Sequence, residues 1–562
     1  MPEAPGRTGA ADPNDAPRSA LLKFQAPVAP STASDPRVPR RWRWLVLASI
    51  ATTAGAAHAL SFAPANLPAL ELAALGVCFA LALRAEGSRA AFGIGFAFGL
   101  GWFGVGVSWV YISLHHYGEL WAPLAAAATC ALVAFLALYP ALALAAAAAI
   151  GARASAHRML AIVAAWTLSE WLRGVILGGL PWLSTGYAHT DGLLAGFAPV
   201  IGVYGVGAAA ALVVALPLWA SFRLPRRPWI LLLSSVAASL AILAAGAELR
   251  EQSWTQPNGP PIRVRLVQGN IAQDIKFAES GLDEALARYL PALQEDGKRA
   301  GAEALAHADL IVFPESAFPV PVNNLPEEVL DALTDARLRN GAALVFGAFV
   351  VEPEERYFNS AIGLDGNSTQ PQRYSKRHLV PFGEFIPFGF RWFVDLMHIP
   401  IGDQQKGERF QPPLALAGQQ IAITICFEDL FGGEMLDAWH DAQREPTLLL
   451  NLSNLAWFDD SMALAQHLQI SRMRALETAR PLLGATNTGI TAIIDARGRV
   501  TAQLAVQTQG QLESTVQATH GTTPFVRMGN GPIVLAAVLA LFVGAFMRPR
   551  TAQLDAISHF QT

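Results

Sequence analysis

The sequence predicts a multi-span α-helical membrane domain joined to a water-exposed α/β domain. The chain has 562 residues, of which 52% are hydrophobic and 15% are charged. A soluble globular protein has about 25% charged residues, so this composition favours a membrane protein. The apolar residues form eight long runs, whereas residues 255–525 mix charged and apolar residues with Pro and Gly. The net charge of −4 gives no indication of nucleic-acid binding.

The apolar runs define the membrane domain, which we place at 44–250 with seven helices. Residues 1–43 have no hydrophobic period and are expected to form a disordered cytoplasmic tail. Most runs reach the roughly 20 residues that cross a bilayer as a helix. The eighth run, 532–547, precedes a second cytoplasmic tail, 548–562. The seven earlier candidate spans are 44–63, 67–83, 90–112, 121–150, 159–177, 196–222 and 229–247.

Particular residues within these runs suggest how the helices are arranged. Glu170 lies inside the fifth run, so we expect it to face protein or a cavity. The glycines of 92–106 are expected to permit close helix packing. We interpret the aromatic residues near the span ends as an interfacial belt; they are Trp102, Trp109, Tyr111, Trp121, Trp171 and Trp182.

The basic residues of the short loops predict the orientation of the chain. With the N-terminus inside, the inner loops carry clusters such as Arg223, Arg226 and Arg227, whereas the outer short loops carry Arg173 alone. Both termini are therefore expected in the cytoplasm and the 255–525 domain outside it. In a bacterium with two membranes, this corresponds to an inner-membrane protein with a periplasmic domain.

The outer domain has the pattern of alternating strands and helices. Helical periods occur at 281–306, 329–341 and 467–481, and 489–500 has the pattern of a hairpin. In an α/β fold, the active site lies outside the carboxyl ends of the strands. Five segments have the apolar character of strands: "IRVRLVQGNI" (262–271), "DLIVFPES" (309–316), "AALVFGAFV" (342–350), "QIAITICFED" (420–429) and "TLLLNLSN" (447–454).

Three reactive side chains lie at or near strand ends. Glu315 ends "LIVFPES", Cys426 ends "AITIC", and Lys376 lies in the loop-like segment "YSKRHLVPFGEFIP". A carboxylate can take a proton from a thiol, and a lysine can stabilise the thiolate and an oxyanion. The trio is therefore a candidate covalent acyl-transfer site, although spacing alone leaves a buried structural cysteine as the alternative. Because the chain has three cysteines without a spacing pattern, a disulfide framework is excluded, and we expect no metal and no cofactor.

Several separated motifs carry a resemblance to a known family. The outer domain resembles the nitrilase superfamily, and residues 44–547 are similar to bacterial apolipoprotein N-acyltransferases. In the membrane domain, the motifs are "GWFGVGVSWVY" (101–111) and "EWLRGVILGGLPWLSTGYA" (170–188). In the outer domain, they are "LVQGNI" (266–271), "FPESAFP" (313–319), "SKRHLVPFGEFIP" (375–387), "ICFED" (425–429), "NLSNLAWFDDS" (451–461) and "RMRALETARPLLGATNTGITAIID" (472–495).

The resemblance implies a fold, a reaction and a set of residue roles. The fold is an extracytoplasmic α-β-β-α sandwich beside about eight transmembrane helices. Glu315 would act as general base and acid, Lys376 would stabilise the oxyanion, and Cys426 would be the nucleophile. Glu384 and Glu428 match further acids near the site. The reaction would move an acyl chain from a phospholipid, in particular phosphatidylethanolamine, through a cysteine thioester to the α-amino group of the diacylglyceryl-cysteine of apolipoproteins.

The chain departs from the family pattern at three positions. Phe277 replaces a Trp and keeps an aromatic ring, Phe427 replaces a Tyr, and Leu455 replaces an acid, so we give position 455 no function. Trp457 is retained and would contact lipid or pack in the core. The apolar segment 387–402 is a candidate lid over the site.

Three other functions are compatible with parts of this pattern. A membrane-tethered nitrilase-type amidase would use water as acceptor and would not need the motifs at 101–111 and 170–188. A transporter would need paired charges at mid-membrane, where the sequence offers little besides Glu170. A catalytically inactive scaffold would not need Glu315, Lys376 and Cys426 together.

Overall fold

The computed structural model describes residues 40–153, 155–222, 229–278, 280–293, 308–366, 368, 370–386, 389, 391 and 404–546. The predicted C-terminal tail, residues 1–39 of the predicted N-terminal tail and nearly all of the candidate lid therefore lie outside the described residues. The chain divides after Leu45 into two units, and only the start of the first helix is described in the first unit. The tertiary contacts of the fold and of the site lie within the second unit.

Besides shorter helices, the described part of the N-terminal half contains seven helices of 17 residues or more. They are α1 (Arg40–Ala59), α2 (Pro68–Arg84), α3 (Ser88–Gly106), α4 (Ala122–Ile150), α5 (Ala156–Arg173), α6 (Ala198–Ser221) and α7 (Ile230–Glu251). Among the described residues, three helical stretches are long and apolar enough to cross a membrane: α4, α7 and Leu193–Ser221, which contains α6. A fourth would be α3 together with Val110–Tyr117, which is bent from it by 60°.

Glycine allows α3 to pack very closely against its neighbours. A Cβ atom at Gly101 would lie 2.0 Å from the carbonyl oxygen of Thr52 on α1, and one at Gly95 would lie 2.5 Å from that of Pro140 on α4. No side chain fits at such distances, so the prediction of glycine-mediated helix packing is confirmed. Glu170 on α5 is 3% exposed and pairs with Arg173 at 3.2 Å, which confirms that it faces protein.

The C-terminal half contains two six-stranded sheets. The strands are β1 (Ile262–Gln268), β2 (Leu310–Val312), β3 (Ala343–Glu352), β4 (Arg356–Leu364), β5 (Gln372–Ser375), β6 (Leu414–Leu416), β7 (Gln419–Ile425), β8 (Leu448–Ser453), β9 (Leu482–Thr486), β10 (Ala492–Ile494), β11 (Val500–Gln503) and β12 (Gly510–Val516). The first sheet has the order β12-β1-β2-β3-β4-β5, and the second has β11-β10-β9-β8-β7-β6. Strands β1 to β3 are parallel, and so are β7 to β9.

Helices cover both outer faces of the paired sheets. Longer helices are α8 (Gly281–Tyr289), α9 (Glu327–Asn340), α10 (Met462–Thr478) and the apolar C-terminal helix α11 (Gly531–Phe546). Leu266 and Leu450 belong to one core between the sheets, because the inner faces are apolar. Tyr289 of α8 packs on the first sheet, and Ala475 of α10 packs on the second. The architecture is therefore an α-β-β-α sandwich, as predicted.

Helix α10 also packs against the helical region. The buried Oε1 atom of Gln466 accepts hydrogen bonds from the indole N–H groups of Trp109 (3.2 Å) and Trp182 (2.7 Å). These two tryptophans are 6% and 3% exposed, and Trp102 is 1% exposed. The interpretation of these three as an interfacial belt is therefore wrong: Trp109 and Trp182 bind the C-terminal half, and Trp102 lies in the helical core. Trp121, by contrast, is 74% exposed.

Candidate active site

The candidate residues come together because the strands that precede them, from both sheets, end at the same end of the sandwich. Glu315 lies three residues after β2, Lys376 directly follows β5, and Cys426 directly follows β7. Strands β2 and β7 each belong to a parallel set, and parallel strands place their carboxyl ends at one edge of a sheet. The loops after both sheets therefore meet at one end of the sandwich.

Lys376 is buried between two carboxylates. Its Nζ atom lies 2.8 Å from Glu384 Oε1 and 3.5 Å from Glu315 Oε1, and its residue is 1% exposed. Burial lowers the pKa of Lys376, but the carboxylates of Glu384 and Glu315 raise it, with a net rise above the ordinary value. The lysine is thus a fixed cation at neutral pH.

Glu315 is held by neutral donors in addition to Lys376. Its Oε1 atom accepts a hydrogen bond from Asn359 Nδ2 (2.8 Å), and its Oε2 atom accepts one from the backbone N–H of Asn454 (2.7 Å). The same amide of Asn359 also donates to Glu384 Oε1 (3.2 Å). These bonds fix the carboxylate beside the lysine and the thiol.

Cys426 has an unusual backbone conformation. Its φ angle is +52°, a left-handed conformation that costs a non-glycine residue free energy and is held here by its surroundings. Asn451 Nδ2 (3.5 Å) and His467 Nε2 (3.4 Å) approach its carbonyl oxygen. Burial and the charge of Glu315 raise the pKa of the Cys426 thiol, although Lys376 lowers it. The resting thiol is therefore protonated and needs a base at the moment of attack.

Glu428 connects the lysine loop to the cysteine turn. Its carboxylate accepts hydrogen bonds from the backbone N–H groups of Arg377 (2.7 Å), His378 (3.1 Å) and Ile425 (2.7 Å). The Tyr374 hydroxyl donates to both of its oxygens, at 3.1 and 3.0 Å. With its oxygens occupied in this way, Glu428 is suited to positioning the two loops rather than to proton transfer.

The aromatic candidates occupy the periphery. Phe277 is 51% exposed, with its ring centroid 6.4 Å from that of Phe349. Phe427 packs against Phe431, with centroids 5.2 Å apart. Trp457 is 41% exposed, and its carbonyl oxygen accepts a hydrogen bond from Ser113 in the helical region at 2.8 Å.

Two residues of the site were missed by sequence reasoning. Asn359 bridges two acids, and its signal is a polar pair, Asn359 and Ser360, between the aromatic and apolar residues of β4. Lys276, one residue before Phe277, is fully buried and donates from Nζ to the carbonyl oxygen of Glu315 at 3.1 Å. Among the described residues, no cluster of three His, Cys, Asp or Glu side chains could hold a metal ion.

Two family models match separate parts of the chain. Residues 54–216 match the family described as "Apolipoprotein N-acyltransferase N-terminal domain", and residues 263–524 match "Carbon-nitrogen hydrolase". An amidase of the nitrilase superfamily from Nesterenkonia AN1 is 20% identical, with a TM-score of 0.34 over 46% of this chain and 92% of that chain.

Curated relatives extend the similarity to most of the chain. A protein of Ralstonia nicotianae is 47% identical over 90% of this chain and 94% of its own length. A protein of Bordetella bronchiseptica is 44% identical over 89% and 97% of the two chains. One of Nitrosomonas europaea is 42% identical over 87% and 96%. Each is named apolipoprotein N-acyltransferase. The chain therefore belongs to the apolipoprotein N-acyltransferase family.

Proposed function

We propose that the protein transfers an acyl chain from a phospholipid, through a thioester on Cys426, to the free α-amino group of the diacylglyceryl-cysteine of apolipoproteins. The observation that carries this proposal is the contact of the buried Lys376 with both Glu315 and Glu384, whose charges act on the thiol of Cys426. Membership of the family suggests that the acceptor is an apolipoprotein. The chemistry of the site suggests that a thioester forms first and that the amine attacks it second.

The first half-reaction forms the thioester. Glu315 takes the proton from the Cys426 thiol, and the thiolate attacks the ester carbonyl of the donor, which we take to be the sn-1 ester of phosphatidylethanolamine. Lys376 stabilises the oxyanion that develops. When the tetrahedral intermediate collapses, the carbon–oxygen bond of the ester breaks, and Glu315 gives its proton to the leaving lysophospholipid oxygen.

The second half-reaction transfers the acyl chain to the lipoprotein. Glu315 takes a proton from the α-amino group as the nitrogen attacks the thioester carbonyl. A carbon–nitrogen bond forms, the carbon–sulfur bond breaks, and the proton passes to the sulfur of Cys426. Water must be kept from the thioester between these steps, because it would release the acyl chain as a fatty acid.

We further propose that eight helices cross the bacterial inner membrane, with both termini in the cytoplasm and the domain 255–525 in the periplasm. The proposal is supported by the coincidence of each apolar run with a helix and by the loop charges. The membrane domain would be 44–250, followed by the last span at 532–547. In spheroplasts, an added protease should reach the 255–525 domain and leave tags on both termini intact.

The acceptor distinguishes this function from that of an amidase. The purified protein is incubated with phosphatidylethanolamine that carries a labelled acyl chain and with a diacylated lipopeptide that has a free α-amino group. We expect an amide-linked label on this lipopeptide and none on a control lipopeptide with a blocked amino group. Release of labelled fatty acid alone, with either lipopeptide, would favour the amidase that uses water.

A further inference from the structure

A second lysine, Lys276, lies beside the backbone of Glu315, the proposed base. Lys276 ends the short helix Gln273–Lys276, and its residue has no exposed surface. Its Nζ atom donates to the carbonyl oxygen of Glu315 at 3.1 Å. The following residue, Ser316, has a left-handed backbone with φ of +50°, so this bond holds a strained turn.

The burial of Lys276 requires a nearby anion. An ammonium group without a counter-charge is strongly disfavoured in the interior. Burial lowers the pKa of Lys276 to about 8, and the carboxylate of Glu315 opposes this shift. The lysine therefore remains mainly protonated at neutral pH, and Glu315 is the anion that favours its charged form.

Lys376 alone does not serve both carboxylates equally, because it lies closer to Glu384 than to Glu315. Lys376 Nζ lies 2.8 Å from Glu384 but 3.5 Å from Glu315. Both carboxylates, together with the buried Glu428, place more negative than positive charge around a single lysine. A second buried positive charge near Glu315 offsets part of this excess of negative charge.

We propose that Lys276 is the second cation of the active site and a positioning residue, whose hydrogen bond holds the turn of Glu315 in place and whose charge acts on the Glu315 carboxylate. This inference rests on the proposed function, in which Glu315 acts as the base. Lys276 contributes through Glu315 and does not contact the reacting atoms. Among the described residues, the charged or titratable side chains that act on or face Glu315 are Lys276, Lys376, Glu384, Cys426 and His467.

The test measures the rate of thioester formation as a function of pH. The acid limb of this profile is the range in which the rate falls as the pH falls. Lys276→Met removes the charge and the donor, Lys276→Gln removes the charge but keeps a donor, and Lys276→Arg keeps both. Loss of a nearby positive charge raises the pKa of a carboxyl group by about one unit, so the acid limb should move to higher pH by that amount in the Met and Gln variants. On that limb, their rates should fall about tenfold, whereas the Arg variant should follow the wild type.

Lys406→Met serves as the matched control. Lys406 is exposed and lies over the ring of Phe385 at 5.4 Å, so its loss should leave the acid limb in place. If the acid limb of the Gln variant stays where it is in the wild type, the role of Lys276 is overturned, whatever the Met variant shows. An Arg variant shifted as far as the Met variant would also overturn it, since packing rather than charge would then matter. If the Met variant fails to fold, the Gln and Arg variants decide the question.

The same experiment separates this inference from the function on which it rests. If the wild type forms no thioester at any pH, the proposed function fails. If the wild type forms it and the Gln variant has the wild-type acid limb, the proposed function stands and the role of Lys276 fails.

Discussion

The contact between Gln466 and two tryptophans should carry measurable stability. Trp182→Phe removes the N–H donor that lies 2.7 Å from Gln466 Oε1, while the bond from Trp109 at 3.2 Å remains. A single intramolecular hydrogen bond contributes about 1 kcal/mol net, so we expect that contribution to be lost in addition to some packing. The double variant, with Trp109→Phe, leaves a buried acceptor bare, which costs about 1–3 kcal/mol more. The two substitutions should therefore cost more together than the sum of their separate effects.

A Gln466→Met background separates the hydrogen bonds from the packing. In that background the acceptor is gone, so each Trp→Phe change should cost only its packing contribution. The free energy of unfolding is measured by denaturant titration in detergent micelles, with near-ultraviolet circular dichroism as the signal. If Trp182→Phe costs the same free energy in both backgrounds, the hydrogen bond contributes nothing and this reasoning is refuted.

Three further outcomes follow from the site and its surroundings. Glu384→Gln should slow thioester formation at least tenfold, because the group 2.8 Å from Lys376 loses its negative charge; an unchanged single-turnover rate would contradict this. Glu428→Gln should lower both the rate of thioester formation and the thermal midpoint of unfolding, because three backbone N–H groups donate to that carboxylate. If neither quantity falls, the positioning role of Glu428 is excluded. The hydrogen bond from Arg472 holds the pKa of Asp191 below its ordinary value, so its stabilising effect is present above that value and is lost as the pH falls through the folded-state pKa. On acidification, the thermal midpoint of Asp191→Asn should therefore fall less than that of the wild type, and equal falls would show that Asp191 plays no part.

The positions of the candidate residues in the fold were predictable from the sequence, because each of them follows a strand or precedes a distinctive loop. Glu315 and Cys426 come at the ends of apolar segments, and this local pattern corresponds to β2 and β7 in the structure. The close packing around Gly101 was also predictable, since glycines that recur along an apolar helix leave room for the backbone of a neighbouring helix.

Residues that act through tertiary contacts could not be predicted in the same way. Trp182 and Gln466 are separated by 284 positions, and nothing local shows that an indole near a span end will bind a glutamine on a distant helix. Lys276 precedes an exposed aromatic residue in a short helix, where a lysine is ordinarily exposed. Its burial depends on the position of Glu315, which lies 39 residues further along the chain and is fixed by the pairing of β2 with β1 and β3.

The most direct test of the proposed mechanism is the chemical state of Cys426 after exposure to donor alone. The protein is incubated with phosphatidylethanolamine that carries a labelled acyl chain, and the peptide containing Cys426 is examined by mass spectrometry. We expect one acyl group on that cysteine, removable by hydroxylamine and lost when a diacylated lipopeptide with a free amino group is added. A hydroxylamine-sensitive label that persists in Cys426→Ser would contradict the assignment of the nucleophile.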